Sequence, residues 1–255
     1  MNWQALDLTI IGPALLAGLL ITATHVPLGY RVLQRGIIFL DLAVAQIAGL
    51  GIILAYSLEF SPNGLQVQLI AVTAALLGVS GLYISEKLWP EIQEAIIGTL
   101  FVLASSGSIL LLATSPQGGE QLKQLLVGQI LWVSYEQLLP VMILYATVLV
   151  IWFAYARKAS SLYFYLLFAI TITASVQLIG VYLVFASLII PALAIRKINN
   201  LKLIVGYVIG AAGYLIGLLF AAAMDLPAGA VIVFSLTVIA MLFVSGTFLF
   251  SSRSK

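Results

Sequence analysis

The sequence predicts an all-α, polytopic bundle of about eight to nine transmembrane helices, with the N-terminus outside and the C-terminus cytoplasmic. Three observations predict it. Of 255 residues, 63% are hydrophobic and 8% charged, whereas a soluble domain carries about 25% charged residues. A chain this poor in charge cannot cover itself for water, and its mean hydropathy is +1.18. The apolar residues also come in runs long enough to cross a hydrocarbon layer, and the basic residues gather in alternate gaps between those runs.

A spanning helix takes about 20 mostly apolar residues. Such runs fall at 8–25, 37–57, 65–84, 95–113, 138–156, 203–223 and 229–249. The start, Met1-Asn2-Trp3-Gln4, lacks the basic region of a secretory signal, so the first run is expected to stay as a span. Between Arg157 and Arg196 the apolar stretch is too long for one span and a little short for two. It reads as two short helices, 161–176 and 178–195, turning around Gln177 and Gly180. One broken or re-entrant segment there is the alternative, giving eight spans. With nine spans and an outside N-terminus, Arg31, Arg35, Lys87, Arg157, Lys158, Arg196, Lys197, Lys202, Arg253 and Lys255 all face the cytoplasm. Lys123 alone among the 11 basic residues falls outside. Residues 1–255 then form one transmembrane domain, with lipid as its solvent.

Several function classes drop out. The net charge is +2 with no basic run, which gives nucleic acid nothing to bind. There is no cysteine and a single histidine, so thiolate metal sites are excluded. The chain has no Gly-x-x-x-x-Gly-Lys-Ser/Thr loop for nucleotide, no nucleophile–His–acid set and no His-Glu-x-x-His spacing. It is not expected to be an enzyme or to hold a cofactor.

An ionisable group inside a span costs about 2.5–3.5 kcal/mol on insertion scales and asks for a reason. Asp41 is the acid that stands inside one, a turn from the cytoplasmic end of the second helix. It can complement the helix dipole there, or it can line a polar pathway and hold a cation. Gln46, five residues on, sits some 140° around the helix from it. His25, with Thr22 and Thr24, stands where the first helix is expected to end before Pro27-Leu28-Gly29, as an interfacial residue or a ligand. Gln177 can bond between helices or touch substrate. Ala45 with Gly49, and Gly206 with Gly210, are small-residue pairs suited to close helix contact. Pro13, Pro140 and Pro191 can kink helices, and Gly128-Gln129-Ile130-Leu131-Trp132 reads as a short interfacial helix. With Asp41 the one deep acid, a chain moving solute uphill takes its energy from another subunit.

In order along the chain, these motifs resemble the permease subunits of bacterial ABC importers for zinc, manganese and iron. Pro27-Leu28-Gly29 with Arg31-Val32-Leu33-Gln34-Arg35 is similar to the family's Pro-Leu-Gly…Val-Leu-Arg-Arg. Asp41 falls at the Asp of Gly-Asp-Ala-Leu-Ser-His. Glu94-Ala95-Ile96-Ile97-Gly98-Thr99-Leu100-Phe101 resembles Asp-Thr-Ala-Ile-Gly-Ile-Leu-Phe, and Gly128 to Ser134 resembles Gly-Asp-Ile-Leu-Trp-Val-Ser. Gln177 to Val184 with Leu188 to Ala192 resembles Gln-x-x-Gly-x-x-Leu-Val…Ile-Ile-Pro-Ala, and Asp225-Leu226-Pro227-Ala228-Gly229 a late Asp-x-Pro-x-Gly. The matches run from about residue 12 to residue 249.

The resemblance implies a permease dimer, a cytoplasmic ABC ATPase that binds the ATP, an extracytoplasmic solute-binding protein, and a transported metal such as zinc or manganese. Asp41 is the residue carried over as a metal contact, with His25, Gln46 and Gln177 as further pathway candidates. Two departures stand out. Ala45 occupies the i+4 position where the family has its histidine. After the fifth span, Arg157-Lys158-Ala159-Ser160 replaces a longer Phe-Asp-x-Glu segment that the resemblance ties to ATPase coupling. Coupling then falls to 85–94, with Glu86, Lys87, Glu91 and Glu94, or to 196–202, with Arg196 and Lys197. The competing readings are an ABC permease for another solute such as a metal chelate, an ion-gradient-driven secondary transporter, and a membrane scaffold.

Overall fold

The structure, a computed structural model, describes residues 8–58, 60, 64–113, 115, 117–155, 161–198 and 201–253. They form nine α-helices: α1 Leu8–Arg35, α2 Leu40–Ser57, α3 Leu65–Leu88, α4 Gln93–Leu112, α5 Gly118–Val127, α6 Tyr135–Tyr155, α7 Ser161–Ile195, α8 Lys202–Met224 and α9 Ala228–Arg253. Short 3₁₀ turns at Pro90–Ile92 and Ile130–Trp132 precede α4 and α6. No strand occurs among the described residues. Every helix except α5 is long and apolar enough to cross a membrane, which makes eight candidate spans. The four-residue stretch 157–160 lies outside the described residues.

Two expectations about helix limits change. The first helix was expected to stop near His25, yet α1 continues through Pro27 to Arg35. Proline removes one N–H, but ending the helix within the apolar layer would free many more backbone groups, so continuation costs less. His25 is therefore an interior residue, 0% exposed, and its interfacial reading falls. The expected short helix at Gly128–Trp132 is reduced to one 3₁₀ turn with Trp132 exposed. Ahead of it stands α5, unforeseen in the sequence.

The expected turn at Gly180 is present. The 35 residues of α7 would reach roughly 52 Å as one rod, against about 30 Å of hydrocarbon. At Gly180 the backbone leaves the helix, with φ 76° and ψ 164°. The part before the break runs antiparallel along α3. Ser161 donates to Glu86 at the end of α3, and Gln68 at the start of α3 donates to Gln177. That first part matches a span by itself.

Contacts divide the chain into two compact units, Met1–Gln34 with Gln129–Met142 and Phe185–Lys255, and Arg35–Gly128 with Ile143–Val184. Lipid is as apolar as leucine, so helix association within each rests on close packing and hydrogen bonds rather than on escape from water. In the first unit the Gly206/Gly210 pair seats α8 on α1. A Cβ on Gly206 would come within 2.7 Å of Val26, and one on Gly210 within 3.0 Å of the Thr22 hydroxyl. Val26, Ala194, Ile195, Ile209 and Ala240 form the core there, and Ser187 bonds Tyr214 at 2.7 Å.

In the second unit α2 is central. Gly51 lies against Ala71 and Ala74 of α3, where a Cβ would meet atoms at 3.0–3.1 Å, and Gly49 lies under Leu125 of α5. Tyr145 of α6 bonds Ser175 of α7 at 2.5 Å. Where α1, α3 and α7 meet, Arg35 pairs with Glu86 at 3.5 Å, donates to Ser161 at 2.7 Å, and stacks 4.5 Å above the Phe164 ring.

Candidate functional site

The start of α2 carries Asp41 and is capped by Glu94 of α4. Gly36, at φ 72°, ends α1 and lets the chain turn through Ile37–Phe39, with Leu40 N–H donating to Ile37 C=O at 3.2 Å. Phe39, the residue before α2, has no side chain able to cap the helix. Glu94 of α4 does so from across the packing seam, its Oε1 accepting the Phe39 N–H at 3.1 Å. This meets one of the orphan donors that every helix start exposes. Its other oxygen, Oε2, is buried without a partner.

Asp41 occupies the first turn of α2, as expected, and is 1% exposed. Neither carboxylate oxygen has a hydrogen-bond partner. The N–H groups of Asp41 and Leu42 face the carboxylate without reaching bonding geometry. Burying such a group unpaired is costly, and structural need does not explain it. The first-turn N–H groups beside it belong to the positive end of α2, so the position complements the helix dipole as well. The arrangement suits a guest with positive charge.

The other pathway candidates are placed as follows. Gln46 is buried with its Oε1 unpartnered. Gln177 accepts from Gln68, the interhelical bond foreseen for it, while its Nε2 has no partner. The Thr24 hydroxyl lies 3.1 Å from Ile21 C=O and 3.0 Å from His25 Nδ1, which fixes one edge of the imidazole against α1. The other ring nitrogen, Nε2, is buried without a hydrogen-bond partner. Thr173 was missed in the sequence. Thr171 and Ser175 beside it bond carbonyls four residues back at 2.8 and 2.7 Å, but Thr173 Oγ1 is buried and does not. A polar residue in an apolar run was the available signal, blurred because hydroxyls usually satisfy themselves on their own helix.

The coupling candidates divide. Glu86 and Glu94 bond inward as described. Lys87, stacked 4.4 Å over the Tyr83 ring, and Glu91, Arg196 and Lys197 are exposed. Among the described residues no three His, Asp or Glu side chains form a metal cluster.

Span-length helices carrying buried, unsatisfied polar groups define an α-helical, multi-pass membrane protein. The chain belongs to the ABC 3 transport family, whose model matches residues 7–164 and 156–247. It is thus the transport component of an ABC system, and the resemblance drawn from its motifs holds. Among solved structures it is similar to PsaBC from Streptococcus pneumoniae in complex with Fab, at 18% identity and TM-score 0.75 over 95% of each chain. It is also similar to a metal-chelate type ABC transporter in an inward-facing conformation, at 16% identity and TM-score 0.67, covering 95% of this chain and 85% of that one. No curated protein matches at a significant level.

Proposed function

We propose that this chain is the membrane subunit of an importer for a divalent metal ion such as zinc or manganese, in a bacterial cytoplasmic membrane. Two copies pair around the pathway. A separate cytoplasmic ABC ATPase supplies the energy, since this chain has no nucleotide loop, and an extracytoplasmic binding protein delivers the ion. ATPase contact falls to Lys87 and Glu91 within 85–94 and to Arg196 and Lys197 within 196–202. The observation that carries the reading is Asp41, a carboxylate buried in an apolar helix with both oxygens unpartnered. His25, Gln46 and Gln177 are further contacts along the route.

A metal chelate is the alternative cargo, favoured by the likeness to a transporter of the metal-chelate type. Unpaired carboxylate oxygens favour the bare ion, because a chelated metal has its coordination positions already filled. Asp41→Ala is expected to abolish uptake of radioactive metal in cells while membrane insertion and ATPase co-purification stay normal. Uptake at the wild-type rate would remove Asp41 from the pathway.

A further inference from the structure

We propose that Arg35, Glu86 and Ser161 are positioning residues for transport, a closed ring that carries movement of the ATPase-facing end of α3 to Asp41. The proposal rests on the reading of Asp41 as a cation contact and of Lys87 and Glu91 as ATPase contacts. The ring joins three helix ends that lie far apart in sequence. Arg35 is the last residue of α1, Glu86 stands in the last turn of α3, and Ser161 opens α7. Arg35 Nη1 pairs with Glu86 Oε1 at 3.5 Å and donates to Ser161 Oγ at 2.7 Å, and the Ser161 hydroxyl donates to Glu86 Oε2. The Phe164 ring, 4.5 Å from the guanidinium, restrains it further.

The ring has an input and an output. Glu86 adjoins the exposed Lys87, and Glu91 is exposed on the 3₁₀ turn that follows α3. On the other side only residues 36–40 separate Arg35 from Asp41. Leu40 N–H closes that stretch onto Ile37 C=O at 3.2 Å, so it has little slack to absorb a displacement. It begins at Gly36, φ 72°, where a Cβ would meet nothing within 4 Å. Glycine therefore serves there for backbone freedom rather than for room, and a shift of Arg35 turns about it into the first turn of α2. Structural need does not account for the ring. Gln93 already ties α3 and α4 to α7 through Ser85, Leu82 and Tyr165. The ring's guanidinium and carboxylate side chains are 17% and 26% exposed, and an ion pair open to solvent adds little net stability. What it adds is α1, the helix that leads to Asp41. A closed ring of charge-assisted bonds is either made or broken, which supplies the two discrete arrangements that coupling requires.

The test uses the full chain with its co-purified ATPase and binding protein in proteoliposomes. ATP hydrolysis and uptake of radioactive manganese and zinc are measured in the same vesicles. Glu86→Gln keeps the side chain's length and an acceptor oxygen but removes the charge that holds Arg35. It is expected to cut the number of ions moved per ATP about tenfold, with hydrolysis continuing and the melting midpoint unchanged. Ser161→Ala removes one hydroxyl and no charge. It is expected to lower the same ratio by a smaller factor, and serves as the check if the glutamine variant assembles poorly. Parallel loss of hydrolysis and uptake with a lowered melting midpoint would mark a structural staple and overturn the proposal. Wild-type uptake in Glu86→Gln, with uptake abolished in Asp41→Ala, would overturn the ring's role and leave Asp41 standing. Wild-type uptake in Asp41→Ala, or undiminished ATPase capture by a chain carrying both Lys87→Ala and Glu91→Ala, would overturn the reading beneath it.

Discussion

Gln93 and Asp41 show two fates for a buried polar side chain in this protein. Gln93 is fully engaged: its Oε1 accepts from Ser85 Oγ at 2.8 Å, and its Nε2 donates to Leu82 C=O at 2.9 Å and to Tyr165 at 3.4 Å. It ties the end of α3, the start of α4 and α7 together, which is a structural job. Gln93→Leu removes that junction and leaves Tyr165 short of a partner, while Ser85 keeps Leu82 C=O, at a cost of about 1–3 kcal/mol. A lowered melting midpoint of the detergent-solubilised protein, with metal binding at Asp41 retained, is the expected result. Asp41 has no such partners, and so reads as functional. Its position was legible because an acid among aliphatic residues stands out. The burial of His25 was not, because Pro27 signals a helix end when tertiary packing is unseen. Nor was the direction of Glu94: on sequence it belonged with the coupling residues, and the turn at Gly36 that brings Phe39 beneath it is a tertiary feature.

At the scale of elements, the long apolar runs located the spans well, since length and hydropathy are set by the bilayer rather than by neighbours. α5 escaped notice because its ten residues mix Glu120 and Lys123 with leucines, and its helix is held by contact rather than by length. Its last turn is joined to the break in α7. Gly128 has φ 71° and ψ 177°, Gly180 φ 76° and ψ 164°, a region almost reserved for glycine. A Cβ on Gly180 would come within 2.6 Å of the Val127 carbonyl carbon, and one on Gly128 within 2.5 Å of the Gly180 nitrogen. Both obstacles are backbone, which cannot swing aside. Gly180→Ala therefore combines backbone strain of about 1–3 kcal/mol with a clash, and is expected to sharply reduce the monodisperse protein recovered by fluorescence-detected size exclusion. Gly81→Ala, in α3 where a Cβ meets nothing within 4 Å, is expected to leave recovery unchanged. Equal recovery of the two variants would show that the α5–α7 junction is not needed for assembly.

For the whole molecule the open question of direction has a physical handle in the charges. The proposed import, with its ATPase at 85–94 and 196–202, needs both segments in the cytoplasm, which the basic residues predict when α7 crosses twice, once on each side of Gly180. α4 separates Glu91, exposed on the 3₁₀ turn before it, from Lys123, exposed on α5 after it. One crossing of the bilayer therefore puts these two residues on opposite faces. The chain contains no cysteine, so single substitutions report without background. In intact cells a membrane-impermeant maleimide is expected to label Lys123→Cys and to spare Glu91→Cys, whereas inside-out vesicles should reverse the pattern. Labelling of Glu91→Cys from outside would turn the bundle over and put the start of α2, with Asp41 and Glu94, at the outer mouth. The proposed ATPase contact at 85–94 would then lie on the wrong face, and coupling would need a different segment.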